Sequence, residues 1–215
     1  MNDVRVVAFD CDGVLFDTAE ANRAYYNHLL AHFGRPSMDE HQLHFVHIHT
    51  VQQSVAHLFA EDADRQAAMA FRASIDYGQF LKYLTIEPHL KALLDWMRNR
   101  YQTAIATNRT DTMHRLLSEF GLAGRFDMVV TSLDVVRPKP FPDPLFKILS
   151  RFRIEPRQAV FVGDSEVDEA TARAAGVPFI AYRNPALEAS WHIESLKDLE
   201  AVSYTHLTLP TICSV

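Results

Sequence analysis

The 215 residues carry a formal net charge of −6, with 48% hydrophobic and 22% charged side chains, an ordinary globular balance sized for one domain or a core with a smaller insert. The negative charge argues against nucleic acid or an anionic membrane as partner, although a few local cations or a metal ion would still admit a phosphate ligand to one cleft. No apolar run reaches the roughly 18 residues needed to span a bilayer, the N-terminus enters strand-like sequence without signal-peptide character, and two cysteines, Cys11 and Cys213, make no disulfide framework, so a cytoplasmic location is expected.

Residues 4–9 form a valine-rich apolar run broken only by Arg5, the pattern of a parallel strand buried on both faces. Residues 18–83 show no convincing strand. Helices are predicted over 18–33, 38–48, 51–59 and 64–84, with Gly34-Arg35-Pro36-Ser37 between the first two and Ser37 as N-cap of the second. Strands and helices then alternate. A helix over 88–100 opens near Pro88 and carries Leu90, Leu93, Leu94 and Met97 on one face. A strand over 102–107 leads to a helix over 111–120 that ends at Gly121. A strand over 126–131, a helix over 142–152 and a strand over 159–162 follow. A helix over 166–175 ends at Gly176, and a last strand covers 178–182. Alternation of this kind predicts an α/β fold, a parallel sheet with helices on both faces, interrupted after strand 1 by an all-helical insert. Residues 202–215 have no charged side chain and no amphipathic period. They resemble one reading frame of an adapter used in transposase-based sequencing libraries, so this tail, Cys213 included, is read as a non-native assembly scar.

The sharpest chemical feature is Asp10-Cys11-Asp12-Gly13 at the end of the first strand. Residues i and i+2 of a strand share a face, so Asp10 and Asp12 aim the same way. Two anions so close raise the pKa of one unless a cation sits between them. Gly13 permits the sharp turn that follows, and strand ends in open α/β sheets are where ligands bind. Cys11 points away and is read as a packing residue. Asp164 follows another strand end, with Asp168 on the first turn of the next helix. Oxygen ligands converging from separate strands suit a hard cation such as Mg²⁺. Thr107 and Asn108 end a third strand, and Lys139, held between Pro138 and Pro140, lies beyond a fourth. Taken singly, each element reads more readily as a turn, a cap or a loop lysine than as a site; together, in order, at successive strand ends, they point to one site.

The insert holds His41, His44, His47, His49 and His57. Their spacing tempts a transition-metal reading, but packing and a polar cleft wall are favoured. One or two of them, with Arg72 or Lys82, are candidates to meet a substrate's leaving group.

At these residues the sequence resembles the haloacid dehalogenase-like superfamily in its phosphatase branch, most closely the phosphoglycolate phosphatase and β-phosphoglucomutase group. Asp10-x-Asp12 matches the first motif, Thr107 the second, Lys139 the third, and Gly163-Asp164-Ser165-x-x-Asp168 the fourth. The resemblance implies a Rossmann-like three-layer core of residues 1–14 and 86–201 and a C1 cap over 15–85, hinged near 15–17 and 84–87. It implies hydrolysis of a small phosphorylated metabolite through an aspartyl-phosphate on Asp10, with Asp12 as general acid and then base. Mg²⁺ would be held by the Asp10 carboxylate, the Asp12 carbonyl and the Asp164 carboxylate, while Asp168 orients waters or Lys139. Thr107, backbone N–H groups near Asn108, and Lys139 would bind the phosphoryl oxygens. Val14 departs from the threonine common there. Asp17-Thr18-Ala19-Glu20 resembles the phosphomutase pattern, but Asn22 stands where that group has histidine, which argues against mutase activity. A catalytically silent phosphate-binding domain is the alternative from another class. Substrate identity and oligomeric state are left open.

Overall fold

The computed structural model describes residues 4–206. Its first strand, β1 (Val6–Phe9), is fully buried because the sheet is covered on both faces. Val6 and Ala8 enter one apolar layer, Val7 and Phe9 the other, as the two-residue period of a strand requires. The insert follows. A two-residue strand, β2 (Phe16–Asp17), leads to α1 (Ala19–His32), α2 (Glu40–Ile48), α3 (Val51–Leu58) and α4 (Asp62–Ser74). A 3-10 turn over Tyr77–Tyr83 leads back to β3 (Thr85–Ile86), which pairs antiparallel with β2. The two crossings between core and insert thus lie side by side, and Glu87 N–H adds a bond to Leu15 O at 3.0 Å.

The core continues through α5 (Leu90–Met97), β4 (Gln102–Ala106), α6 (Met113–Glu119), β5 (Met128–Val130), α7 (Asp143–Phe152), β6 (Ala159–Gly163), α8 (Glu166–Ala175), β7 (Phe179–Tyr182), β8 (Trp191–Ile193) and α9 (Asp198–His206). The six long-range strands form one parallel sheet in the order β5-β4-β1-β6-β7-β8. Leu90, Leu93, Met113, Leu116 and Leu199 cover one face, and Leu145, Ile148, Ala172 and Ala175 the other, completing three layers. The chain leaves β1 in both directions across the sheet, so a crevice opens at the C-terminal ends of β1, β4 and β6.

Several boundaries differ from expectation for local reasons. Asp39, not Ser37, caps α2: its Oδ1 accepts from Gln42 N–H at 2.7 Å while Gln42 Oε1 accepts from Asp39 N–H at 3.0 Å. This reciprocal box satisfies two helix-end donors. The helix predicted over 64–84 breaks at Ile75, where the backbone turns extended and Asp76 Oδ1 caps the 3-10 turn through Gly78 N–H. The edge strand β8 has no apolar run, and β2 and β3 are too short for periodicity. Gly121 and Gly176 end α6 and α8 at φ 67° each, a conformation that costs glycine little. Backbone helix α9 enters the proposed tail as far as His206, and residues 207–215 of that reading lie outside the described residues. No described helix is long and apolar enough to cross a membrane.

Phe161 is fully buried beneath the sheet, whereas Val136 is 94% exposed. Phe161→Ala is expected to lower unfolding free energy by about 3–5 kcal/mol and Val136→Ala by less than about 0.5, read from urea denaturation midpoints.

Candidate active site

The strand ends bring the acids together. Asp10 continues β1, its N–H donating to Val162 O of β6 at 2.8 Å. The chain then turns sharply: Leu15 and Phe16 N–H groups donate back to Cys11 O at 3.0 and 3.1 Å. Gly13 sits at φ 81°, and a Cβ there would lie 2.0 Å from Asp164 Oδ2. Only glycine lets the β1 loop and the β6 end approach so closely. Gly163 performs the same service for Asp168, whose Cβ would be 2.4 Å from an added one. As a result Asp10, Asp164 and Asp168 each offer an oxygen within 4.8 Å of the others. They form the metal-capable group of acids found among the described residues.

Lys139 ties this group to β5. Its Nζ, almost fully buried, lies 2.7 Å from Asp10 Oδ1 and 2.6 Å from Asp168 Oδ1. Asp168 Oδ2 accepts from Ser165 Oγ at 2.5 Å and Ser165 N–H at 3.2 Å, so both Asp168 oxygens are occupied by protein donors. Asp164 differs: its Oδ1 is sealed from solvent and has no hydrogen-bond partner, while Asn184 Nδ2 donates to its backbone carbonyl at 2.8 Å. A buried carboxylate oxygen without a donor is costly. Burial raises Asp164 well above the usual carboxylate range, with Asp168 and Asp10 adding repulsion. Asp10 is pushed up to about 7 by burial and by Asp168, against the pull of Lys139. An all-oxygen, anion-rich set with one unsatisfied ligand atom fits a hard divalent cation.

Thr107 and Asn108 extend β4 into the same crevice. Thr107 Oγ1 accepts from Arg109 N–H at 3.1 Å, which leaves its own hydrogen to give. Asn108 Nδ2 donates to Ile48 O of the insert at 3.0 Å and to Lys139 O at 3.1 Å. All seven expected residues therefore meet at one place. Asp12 is there too, but not free. Arg109, missed in the sequence, grips it: Nε donates to Oδ2 at 2.9 Å and Nη2 to Oδ1 at 2.8 Å. Burial would raise Asp12, yet the guanidinium overcomes it and holds the carboxyl below its ordinary range. The available signal was a cation directly after Thr107-Asn108 at a strand end.

The insert closes the other side. A cavity of about 70 Å³ lies between the acids and the insert side chains Tyr25, Tyr26, His47, Arg72 and Tyr77. His47 Nδ1 lies 3.2 Å from Asn22 Nδ2. Phe45 is stacked between His49 and His57, with ring centroids 3.9 and 4.0 Å away, and His41 lies against His57. These histidines pack on rings, as favoured from sequence. Lys82 is exposed over the Tyr83 ring, while Arg72 lines the cavity. Cys11 is fully buried, and burial pushes its thiol well up, in keeping with packing.

The family model described as haloacid dehalogenase-like hydrolase matches residues 7–182. Pyrophosphatase PpaX of Bacillus velezensis is 33% identical, covering 93% of this chain and 97% of that protein. Phosphoglycolate phosphatase of Yersinia pseudotuberculosis is 32% identical, covering 82% and 80%. A crystal structure of a subfamily IA hydrolase from Geobacter sulfurreducens superposes at TM-score 0.76 with 37% identity, over 94% of this chain and 97% of that one. β-Phosphoglucomutase from Clostridium difficile shares the fold, at TM-score 0.82 and 16% identity over 94% and 96%. The fold, the clustered strand-end acids and these likenesses agree: the chain belongs to the haloacid dehalogenase-like hydrolase family, in its phosphatase branch.

Proposed function

We propose that this enzyme is a Mg²⁺-dependent phosphatase of a small phosphorylated metabolite, acting in the cytoplasm through an aspartyl-phosphate on Asp10. The observation that carries the reading is the Asp10 carboxylate: it touches the Lys139 ammonium and neighbours Asp164, whose Oδ1 lacks a partner. Asp10, the Asp12 carbonyl and Asp164 would hold the ion. When bound, it would offset repulsion between the Asp10 carboxylate and a phosphoryl dianion.

The chemistry then falls to the chain's own residues. An Asp10 oxygen attacks phosphorus, the ester P–O bond breaks, and the departing alkoxide takes a proton. Thr107 donates to a phosphoryl oxygen, and Lys139 neutralises charge on the nucleophile. Water then attacks phosphorus, the Asp10–phosphorus bond breaks, and phosphate leaves. An ionised Asp12, as Arg109 holds it, suits this second step as general base. Donating a proton in the first step requires Arg109 to turn away. The insert would act as a cap pivoting on the β2–β3 ribbon and excluding water while transfer occurs. A cavity of about 70 Å³ favours a small substrate, and the similar pyrophosphatase and phosphoglycolate phosphatase support that size class. Asn22 in the cavity wall, where phosphomutases of the resembling group have histidine, supports hydrolysis over mutase chemistry.

Asp10→Asn is expected to reduce Mg²⁺-dependent p-nitrophenyl phosphate hydrolysis to background; retained turnover would remove Asp10 as nucleophile. In Asp12→Asn the second step should slow more than the first, because nitrophenolate leaves without a proton. Intact-protein mass spectrometry should then show one added phosphoryl group, absent from Asp10→Asn.

The Asp10 shift sets a pH dependence. Its folded pKa, about 7, lies above the ordinary carboxylate value. In metal-free protein this group's contribution to stability is therefore full below about pH 4 and is lost as pH rises through about 7. Metal binding requires the anion. Mg²⁺ should accordingly raise Tm more at pH 8 than at pH 5, and Asp164→Asn should abolish most of that rise in a thermal melt.

A further inference from the structure

The loop after β7 touches both the metal-capable acids and the insert's return crossing, and the transfer chemistry uses none of it. Its first residue, Arg183, has φ 50°. A side chain other than glycine adopts that left-handed backbone only where its surroundings hold it. Here they do: Arg183 N–H donates to Ile193 O at 2.9 Å and its Nε to Glu194 O at 2.8 Å, and its guanidinium lies over the Tyr182 ring. The next residue, Asn184, is fixed as well. Its Oδ1 accepts from Ala186 N–H at 3.2 Å, which leaves its amide nitrogen to donate to the Asp164 backbone carbonyl at 2.8 Å.

The Asn184 bond matters because of what Asp164 lacks. Asp168 has both carboxylate oxygens bonded to protein donors, whereas Asp164 Oδ1 has no partner. The aim of Asp164 therefore depends on its backbone, and Asn184 holds that backbone from the end of the neighbouring strand. Arg183 reaches the other way, its Nη2 lying 3.3 Å from Glu87 Oε2. Glu87 follows β3 where the chain re-enters the core, and its N–H bonds to Leu15 O beside the outward crossing. The Glu87 side chain is only 5% exposed and its Oε1 has no hydrogen-bond partner, so the carboxylate relies on the Arg183 charge. Two consecutive residues thus connect the crossing between insert and core to the acid with the unsatisfied ligand atom.

We propose that Arg183 and Asn184 form a positioning strap: Asn184 sets the aim of Asp164 toward the ion, and the Glu87–Arg183 pair makes that aim depend on the insert's crossing. This rests on the reading of Asp164 as an ion ligand. Neither residue lines the cavity between the acids and the insert, so both act through Asp164 and not on a substrate. The coupling is reciprocal: whatever the pair adds to ion affinity, the ion adds to the pair.

Calorimetry on the full chain would measure Mg²⁺ affinity, after metal-free melts have shown each variant folded. Asn184→Ala should weaken binding about tenfold or more. Arg183→Gln and Glu87→Gln should each weaken it at least about twofold. The sign for Arg183→Gln is decisive. A merely electrostatic role predicts tighter binding when a nearby positive charge is removed, so tighter or unchanged binding overturns the strap. Arg183→Gln carries the test alone if Asn184→Ala fails to fold. The double variant should bind no more weakly than Asn184→Ala; additive losses mark two independent effects and overturn the strap. Hydrogen exchange supplies the reciprocal readout. Mg²⁺ should slow exchange of the Glu87 N–H in the wild type and do so less in Arg183→Gln; equal slowing overturns the coupling. Asp164→Asn separates this proposal from the reading beneath it. If it loses Mg²⁺ binding while the strap variants keep wild-type affinity, the strap falls and the phosphatase reading stands. If it binds Mg²⁺ like the wild type, Asp164 is no ligand, and both the strap and the metal site of that reading fall.

Discussion

Four carboxylates, those of Asp10, Asp12, Asp164 and Asp168, are gathered at the ends of two adjacent parallel strands, and two buried cations, Lys139 and Arg109, answer them. Each cation is fully committed. Lys139 bridges Asp10 and Asp168, and Arg109 closes on Asp12. Two negative charges are left over, and burial makes them expensive. The strain shows where expected: Asp10 is pushed up to about 7 and Asp164 well above the carboxylate range, whereas Asp12, with a cation of its own, is lowered. Such a cluster settles by taking up protons or a divalent cation. The second route leaves Asp10 ionised, the form in which a carboxylate is a nucleophile.

The rest of the architecture serves to bring those charges together. A sheet covered on both faces fixes β1, β4 and β6 in register, so that the residues just past their ends share one crevice. Two glycines remove the Cβ atoms that would otherwise hold the loops apart. Ser165 caps α8 and simultaneously occupies one oxygen of Asp168, aiming the other at Lys139. Helix capping and site electrostatics here meet in one hydroxyl, which accepts from Asp168 N–H and donates to Asp168 Oδ2. Replacing Ser165 would therefore disturb the site through α8 without touching a substrate.

The alternating core was legible because each buried strand is a short apolar run and each helix carries one apolar stripe with a glycine or cap at its end. The convergence of seven residues on one crevice was legible because strand ends are identifiable and ligands gather there. Arg109 was not. Its meaning depends on Asp12, 97 residues away in the chain, and no local pattern announces a partner at that distance. The insert's details were lost for a different reason. Ser37 and Asp39 are both good N-cap residues, each followed three positions later by Glu or Gln. Only the packed position of α2 decides between them. The helix predicted over 64–84 kept an apolar stripe through Ile75 and Tyr77, so periodicity could not reveal the break that Asp76 imposes.

The seam between insert and core is made of polar contacts of unequal exposure. Arg115–Asp76 and His44–Glu166 lie largely in solvent, where an ion pair contributes about 0–1 kcal/mol. They can break and reform at little cost. The contact at the centre is different. The Tyr77 hydroxyl of the insert accepts from both Nη1 and Nη2 of Arg109 at 3.0 Å, and the same guanidinium holds Asp12. A motion of the insert about the β2–β3 ribbon must therefore stretch or rotate the group that grips Asp12. Tyr77 cannot leave without Arg109 losing two hydrogen bonds, and Arg109 cannot follow without loosening its hold on the carboxylate. One buried arginine thus makes the position of the insert and the environment of Asp12 parts of a single arrangement.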